Sequence, residues 1–328
     1  MLRQTMERLG PLVSARNLWV VTNTEQAAAV RRELGEMPRS HILAEPVGRN
    51  TAAAIGLAAV HLAREHGDAV MAVLPSDAYV RDVARYRVLV RAALDQAREA
   101  GNLVVLGIPP TRPETGYGYI ERGPALGRSR GIAVYAVKRF TEKPALPMAW
   151  KYAASGRYFW NAGMFLWRAS TFLESLRRFL PETHQALQKL AETIGTKKYP
   201  PALKRIYPQL ENISVDYAVM EAATRVLGKP MVRVIPAKIG WSDIGSWAAV
   251  YELLAPKNGA NVSAGPSCTL DADGNYFWSP KKFVAAIGVN DLVLVETDDA
   301  VLICPRERAQ DVGKIVKWLE EGKRETLL

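Results

Sequence analysis

The chain has 328 residues, of which 48% are hydrophobic and 23% are charged, as in ordinary globular proteins. Its formal net charge of +10 suits an anionic partner, but the basic residues are dispersed and form no nucleic-acid-binding motif. Small phosphorylated ligands are therefore favoured over nucleic acid. We expect neither a membrane span nor a signal peptide, because charged residues interrupt every apolar stretch. Two cysteines are too few for a disulfide framework or a structural zinc site, so we expect a cytoplasmic location.

Strands and helices alternate over the first 110 residues. Apolar strands are predicted at residues 17–22, 41–44, 69–74 and 103–108, separated by helices at 25–34, 50–64 and 82–100. This order predicts an α/β fold with a doubly wound, mostly parallel sheet. Short β-type runs follow residue 260, before a final helix at 308–320. We therefore predict an α/β domain at residues 1–255 and a small β-rich domain at 256–328, and we expect the latter to form a homodimer surface.

Two isolated carboxylates lie on tight turns. Asp77 follows the strand at 69–74 directly, and ligands of open α/β sheets bind beyond the carboxyl ends of the strands. Asp243 lies between two tryptophans in the string WSDIGSW at residues 241–247. Mg²⁺ usually takes one or two carboxylates, so the pair suits this ion. The structural alternatives are a helix cap for Asp77, although Asp82 is better placed, and a packed turn capped by Ser246 for the second string.

The loop EPVGRNTA at residues 45–52 leads into the helix predicted at 50–64. Free N–H groups at a helix start favour an anion or a polar base edge. A carboxylate such as Glu45 can accept hydrogen bonds from the N1–H and the amino group of guanine. The alternative is structural: Asn50 caps the helix and Glu45 favours its dipole.

Three further strings are suited to a sugar phosphate. TGYGYI at residues 115–120 places glycines around an aromatic ring, which brings backbone groups close to a ligand, although a hairpin turn has the same pattern. In FTEKP at 140–144, Pro144 predicts an extended backbone at Lys143, so the side chains of Glu142 and Lys143 should point to opposite sides. Both then reach one substrate only if the backbone turns there or the substrate lies across the strand end. A surface ion pair is the alternative. WNAGMF at 160–165 offers Asn161 as donor and acceptor, whereas SVDYAVMEA at 214–222 is predicted to be mainly a packed helix.

These six strings and LPSD at residues 74–77, seven in all, resemble in order the motifs of bacterial mannose-1-phosphate guanylyltransferases, also called GDP-mannose pyrophosphorylases. The resemblance covers nearly the whole chain. It implies the nucleotide-diphospho-sugar transferase fold with a small C-terminal β domain. The implied reaction is attack of mannose 1-phosphate on the α-phosphorus of GTP, with pyrophosphate leaving.

The resemblance also implies roles for individual residues. Asp77 and Asp243 would hold Mg²⁺, and Lys143 would neutralise the sugar phosphate, so these three would be catalytic. The remaining assignments are nucleotide binding by Glu45, Arg49, Asn50 and Thr51, and sugar binding by Tyr117, Gly118, Glu142 and Asn161.

Two departures from the family pattern bear on activity. Ala78 stands where the family usually has histidine. The family's Gly-rich triphosphate loop, of the form G-G-x-G-x-R-L-x-P, does not occur in these 328 residues. We therefore expect the sequence to be an N-terminally shortened form with impaired turnover. The alternatives are a non-catalytic sugar-nucleotide-binding or regulatory subunit, and a glucose-1-phosphate nucleotidyltransferase.

Overall fold

The computed structural model describes residues 1–226, 228, 231–256, 259–322, 324 and 327. The chain divides into two compact units, Met1–Trp241 and Ser242–Leu328. The sequence-based domain boundary at residue 255 stays a prediction. Among the described residues, no helix is long and apolar enough to cross a membrane.

The first unit alternates helices and strands in its N-terminal half and becomes mainly helical after residue 168. Its helices are α1 Leu2–Leu9, α2 Ala27–Glu33, α3 Asn50–His66, α4 Val83–Ala97, α5 Leu146–Ala154, α6 Ala169–Phe179, α7 Pro181–Ala191, α8 Tyr199–Ile206 and α9 Ala222–Thr224, the last preceded by a π-helical turn, Asp216–Glu221. Its strands are β1 Val20–Asn23, β2 Ile42–Glu45, β3 Val70–Val73, β4 Tyr79–Val80, β5 Leu103–Ile108, β6 Tyr119–Ser129, β7 Ile132–Thr141, β8 Tyr158–Arg168 and β9 Val232–Pro236. A further short strand, β10 Trp241–Ser242, begins at Trp241, the last residue of the first unit.

Within the described residues, six strands form one sheet in the order β3-β8-β5-β9-β7-β6, and β1 pairs with β2 separately. The predicted α/β class is confirmed. The six-stranded sheet is mixed: β5–β9 is a parallel pair, whereas β8 runs antiparallel to β3, β5 and β6, and β7 runs antiparallel to β6 and β9. The separate pair β1–β2 is parallel. A strand buried on both faces is an apolar run in either direction, so the sequence pattern did not reveal the orientation of β8.

Both faces of this sheet are covered, which explains the uncharged strands. On β5, Leu103 and Val105 belong to one apolar cluster, which includes residues of α3, α6 and α7. The alternate residues, Val104 and Leu106, belong to a second cluster with residues of α4. Successive side chains of a strand point to opposite faces, so one strand contributes to both halves of the core.

The second unit contains short, mostly parallel strands between two helices. Its elements are α10 Trp247–Leu254, β11 Val262–Ser263, β12 Ser267–Leu270, β13 Tyr276–Trp278, β14 Val284–Ile287, β15 Leu292–Glu296, β16 Val301–Pro305 and α11 Val312–Glu321. The pairs β11–β13, β13–β15 and β12–β14 are parallel, and β16 returns antiparallel to β15. Tyr251 of α10 packs with Tyr276 and Val293 in a small core. The predicted β-rich C-terminal part is thus present.

Candidate active site

Three of the predicted sugar-binding residues meet at one end of the sheet. Gly118 immediately precedes β6, Glu142 follows β7, and Asn161 lies on β8. These positions converge because β6 pairs with both β7 and β8. The Asn161 N–H donates to the Gly118 carbonyl at 2.8 Å. A Cβ atom at Gly118 would overlap Glu142 Oε2, so a larger residue there would force this carboxylate to move.

The Asn161 amide is held from both ends. Its Nδ2 donates to Asp216 Oδ1 at 2.7 Å, and its Oδ1 accepts from the Gly163 N–H at 3.0 Å. Asp216 begins the π-helical turn, a rare conformation that is frequent at functional sites. Sequence reasoning missed Asp216, because an acidic residue in the first turn of an apolar helix is also explained by the helix dipole.

The carboxyl groups of this cluster are perturbed by their surroundings. Burial, reinforced by the nearby Asp216, raises the pKa of Glu142 to about 7, although Lys143 acts in the opposite direction. Burial also raises the pKa of Asp216, against the hydrogen bond from Asn161. Within the described part of the chain, Glu142 Oε2 is buried and has no hydrogen-bond partner. The cluster therefore contains a buried polar atom that a ligand can satisfy.

The prediction that Lys143 is extended is wrong. Its φ is +46°, in the left-handed region, and its side chain is exposed. The turn after β7 overrides the preference of a residue before proline for extended backbone. The chain therefore turns here, which is one of the two conditions stated above for Glu142 and Lys143 to reach one substrate.

Tyr117 lies in a loop that is organised by its neighbours. Its ring makes edge contacts with Trp160 at 5.3 Å and with Trp241 at 5.4 Å between centroids. The buried Glu114 accepts the Gly116 N–H at 3.1 Å. The ring thus braces the loop that presents Gly118, and Trp241 has the packing role expected of it.

The loop of predicted nucleotide-binding residues is attached to a segment that sequence reasoning did not single out. The Tyr207 hydroxyl donates to Glu45, and Arg49 donates to the Pro208 carbonyl. The Val215 N–H donates to Thr51 Oγ1 at 2.9 Å. Because Val215 precedes Asp216, residues 207–216 connect the loop at 45–51 to the predicted sugar-binding residues Gly118, Glu142 and Asn161, which together with Asp216 are called the sugar cluster below.

Within this loop, Glu45 and Asn50 differ in their surroundings. Burial raises the pKa of Glu45, and the hydrogen bond from Tyr207 lowers it. Asn50 is exposed at φ +60°, and its Oδ1 accepts the N–H of the next residue at 2.9 Å. Asn50 therefore starts α3 without capping it in the usual way, and its side chain is accessible to a ligand.

Asp77 lies on an exposed turn whose backbone is held in place. A Cβ at Gly163 would lie 3.6 Å from Pro75 Cγ, so the turn runs beside the strand that carries Asn161. From α1, Thr5 Oγ1 donates to the Ser76 carbonyl at 3.2 Å, and Arg8 donates to the Ala78 carbonyl at 2.9 Å. Asp82 caps α4 as expected, and this leaves Asp77 available for another role.

Asp243 lies on its own turn in the second unit. Its Oδ1 accepts the Gly245 N–H at 3.2 Å, and the intervening Ile244 has φ +49°. Ser246 caps α10, as the structural alternative required, and Trp247 stacks on Tyr276 at 5.9 Å. The string is thus a packed turn that also presents a carboxylate.

The donor chemistry of the two aspartates fits Mg²⁺. In the described ranges, no group of three or more His, Cys, Asp and Glu side chains converges on a common point. Mg²⁺ does not require such a group, because it keeps several waters and takes one or two carboxylates together with phosphate oxygens.

Comparison with protein families defines the class. The nucleotidyl transferase model matches residues 1–257, and the model of a MannoseP isomerase/GMP-like β-helix domain matches residues 265–319. These matches cover both structural units and define a nucleotidyl transferase followed by a β-helix domain.

Individual relatives narrow this class. Over 99% of its length the chain is 40% identical to a mannose-1-phosphate guanylyltransferase of Escherichia coli, of which it covers 68%. It is 41% identical, also over 99%, to the Xanthan biosynthesis protein XanB of Xanthomonas campestris, of which it covers 67%. A crystal structure from Thermus thermophilus, described as a mannose-1-phosphate geranyltransferase, is 36% identical and has a TM-score of 0.82, over 97% of this chain and 89% of that one. The chain belongs to the mannose-1-phosphate guanylyltransferase family.

Proposed function

We propose that the chain transfers GMP from GTP to mannose 1-phosphate in a Mg²⁺-dependent reaction. A phosphate oxygen of mannose 1-phosphate attacks the α-phosphorus of GTP, the bond between the α-phosphorus and the bridging oxygen breaks, and pyrophosphate leaves. The observation that carries the proposal is that Gly118, Glu142 and Asn161 lie together, next to the exposed Lys143, and that the buried Oε2 of Glu142 has no hydrogen-bond partner within the described residues.

The sugar phosphate is the substrate that this cluster suits. Sugar hydroxyls both donate and accept hydrogen bonds, and Glu142 and Asn161 supply both functions. Tyr117 braces the loop that holds Gly118 against them. Lys143 is a point charge for the phosphate. A phosphate oxygen is already an ionised nucleophile at neutral pH, so the protein's task is alignment and charge neutralisation.

The nucleotide is assigned to the loop at residues 45–51. Glu45, oriented by Tyr207, would accept hydrogen bonds from the guanine edge. Arg49, Asn50 and Thr51 would lie along the nucleotide at the start of α3, where free N–H groups favour an anion.

Asp77 and Asp243 would each act as a Mg²⁺ ligand. The ion would neutralise phosphate charge when bound. Asp77 suits this role because its side chain is exposed on a turn whose carbonyls are fixed by Thr5 and Arg8.

We also propose a homodimer formed through the second unit. Its strands and the residue before β14 carry large apolar side chains that face solvent in the single chain, and such patches mark interaction surfaces. The exposed fractions are 57% for Leu270, 63% for Phe283, 69% for Ile287 and 61% for Ile303. Light scattering after gel filtration should give twice the chain mass, and Ile287→Lys should reduce it to one chain. A monomer without the substitution would contradict the proposal.

A cytoplasmic location is proposed because Cys268 and Cys304, which both lie in described stretches, are free thiols.

Pyrophosphate release tests the proposed reaction. Purified chain is incubated with each nucleoside triphosphate, paired in turn with mannose 1-phosphate and glucose 1-phosphate, and binding of each ligand is measured by calorimetry. GTP with mannose 1-phosphate should be the preferred pair. Preference for glucose 1-phosphate, or failure of both sugar phosphates to bind, would overturn the proposal.

Lys143→Ala should lower kcat/KM by about 10²-fold, the usual effect of removing one preorganised charge-stabilising group. Lys143→Arg, which keeps the charge, is the matched control and should recover part of the activity. Binding measurements accompany turnover because the Gly-rich loop of the family motif does not lie within the 328 residues.

A further inference from the structure

One oxygen of the sugar cluster lacks a hydrogen-bond partner. Within the described residues, Glu142 Oε2 is buried without a donor, and it lies against Gly118, where an added Cβ would displace it. An ionised carboxylate in that position leaves a buried charge unsatisfied, which is costly. A protonated carboxyl removes the charge and supplies an O–H donor.

Asp216 is the carboxylate that faces this position. Asp216 Oδ1 accepts a hydrogen bond from Asn161 Nδ2 at 2.7 Å, while Asn161 Oδ1 accepts one from the Gly163 N–H. These two hydrogen bonds leave one orientation for the Asn161 amide. Two carboxyl groups that share a buried cluster disfavour ionisation of both at once.

We propose that Asp216 is a positioning residue that fixes the Asn161 amide, and that Asp216 and Glu142 form a carboxyl pair holding one proton at neutral pH. The inference rests on the proposed function, because it assigns the pair to the hydroxyls of a sugar phosphate. Protonated Glu142 donates to one hydroxyl oxygen. The ionised Asp216 keeps Asn161 in the orientation that serves the next hydroxyl.

The other charged and titratable groups that face Glu142 do not replace Asp216. Lys143 favours ionisation of Glu142 and therefore opposes the pair. Glu221, at the far end of the π-helical turn, disfavours it, but its carboxylate is paired with Arg225. Tyr217 is largely exposed, and partial desolvation, together with the carboxylates around it, raises its pKa, so it stays neutral at pH 7. Asp216 is thus the acidic neighbour with the larger effect on Glu142.

Carbon-13 NMR of the glutamate side-chain carboxyls measures the pair directly, with no ligand present. Glu142→Gln identifies the resonance by its disappearance. In the unsubstituted chain the pKa of Glu142 should be about 7. Asp216→Asn removes one charge and should lower it by roughly half a unit to one unit. Glu221→Gln, a carboxylate of the same turn, is the matched control and should lower it less.

A Glu142 titration midpoint below about pH 6, or an unchanged midpoint in Asp216→Asn, overturns the shared proton. Amide spectra of each variant show whether the fold is intact. If Asp216→Asn does not fold, the Glu142 titration in the unsubstituted chain still decides the protonation.

The positioning role is tested by calorimetry with mannose 1-phosphate. Asp216→Asn keeps an oxygen that can accept from Asn161, whereas Asp216→Ala keeps none. Binding should weaken by about tenfold in Asp216→Ala and by no more than about threefold in Asp216→Asn at about pH 6. GTP affinity should be unchanged in both. Equal losses in both variants, or a parallel loss of GTP binding, overturn the positioning role.

The proton on Glu142 should also make the affinity for the sugar phosphate depend on pH. Between about pH 6 and about pH 8 the affinity of the unsubstituted chain should fall, and Glu142→Gln, which is always neutral, should lose this component. The phosphate's own titration is common to both proteins and cancels in the comparison. If neither protein binds mannose 1-phosphate, the proposed function fails, and the NMR titration still decides whether the carboxyl pair exists.

Discussion

Glu142 and Asp77 carry the same chemical group in two different settings of the first unit. Glu142 lies in a cluster of interlocked polar groups, where burial raises the pKa of its carboxyl. Asp77 projects from a turn whose backbone is fixed while its side chain is exposed. The first setting suits recognition of a neutral hydroxyl, and the second suits a hydrated cation. The contrast shows that the surroundings of a carboxylate, more than its identity, decide which ligand it can serve.

The largest expected effect comes from the exposed setting. Asp77→Asn should lower turnover by about 10²- to 10³-fold, because it removes a proposed charged ligand of Mg²⁺ while the fold hardly depends on the side chain. Turnover against Mg²⁺ concentration and a thermal melt measure the two effects. Asp82→Ala is the contrasting control: it removes the cap of α4 and should cost about 1 kcal/mol of stability without changing the Mg²⁺ response. If Asp77→Asn leaves turnover unchanged, Asp77 has no catalytic role.

A substitution that crowds the buried carboxyl of Glu142 should have the next largest effect, on the affinity for mannose 1-phosphate. Gly118→Ala places a Cβ on Glu142 Oε2 and should weaken mannose 1-phosphate binding by about 10- to 100-fold, equivalent to about 1–3 kcal/mol. In Gly116→Ala, two residues earlier, the nearest atom to the added Cβ is Glu114 Oε1 at 3.4 Å, so this control should have little effect. Calorimetry with each ligand separates the cases. Equal losses in the two variants would show that the loop, rather than the pocket, is sensitive.

The buried setting also makes a pH-dependent contribution to stability. The pKa of Glu142 is raised from 4.5 to about 7 in the folded protein, so the folded state binds more protons than the unfolded state between these values. This contribution is fully present below pH 4.5 and is lost as pH rises through 7. Glu142→Gln should therefore gain on the order of 2 kcal/mol relative to the unsubstituted protein at about pH 8.

Urea unfolding across this pH range measures the difference. The same substitution at the exposed Glu25 is the control. A parallel pH dependence in Glu142→Gln and the unsubstituted protein would show that Glu142 ionises without cost.

The smallest expected effect is on GTP affinity and concerns the loop at residues 45–51. Tyr207→Phe removes the hydrogen bond that orients Glu45 and should weaken GTP binding by about fivefold, or about 1 kcal/mol. Mannose 1-phosphate binding should be unchanged. An effect on both ligands would show that residues 207–216 transmit the change to the sugar cluster.

Much of the local structure followed from the sequence. The pattern predicted β5 at residues 103–108 with its observed bounds, and placed Asp82 and Ser246 as helix caps. These features depend on hydrophobic periodicity and on side-chain-to-backbone bonds within three residues, which are local in the chain.

Tertiary structure alone decided the rest. Asp216 meets Asn161 across 55 residues, and Tyr207 meets Glu45 across 162, so no local pattern records either contact. The left-handed φ of Lys143 arises where the chain leaves β7, against its own pre-proline preference. Sequence by itself supplied the motifs and the family they resemble, because recognition needs only residues in order. Which carboxylate is buried and which is exposed depends on what packs around each, and only the folded chain determines that.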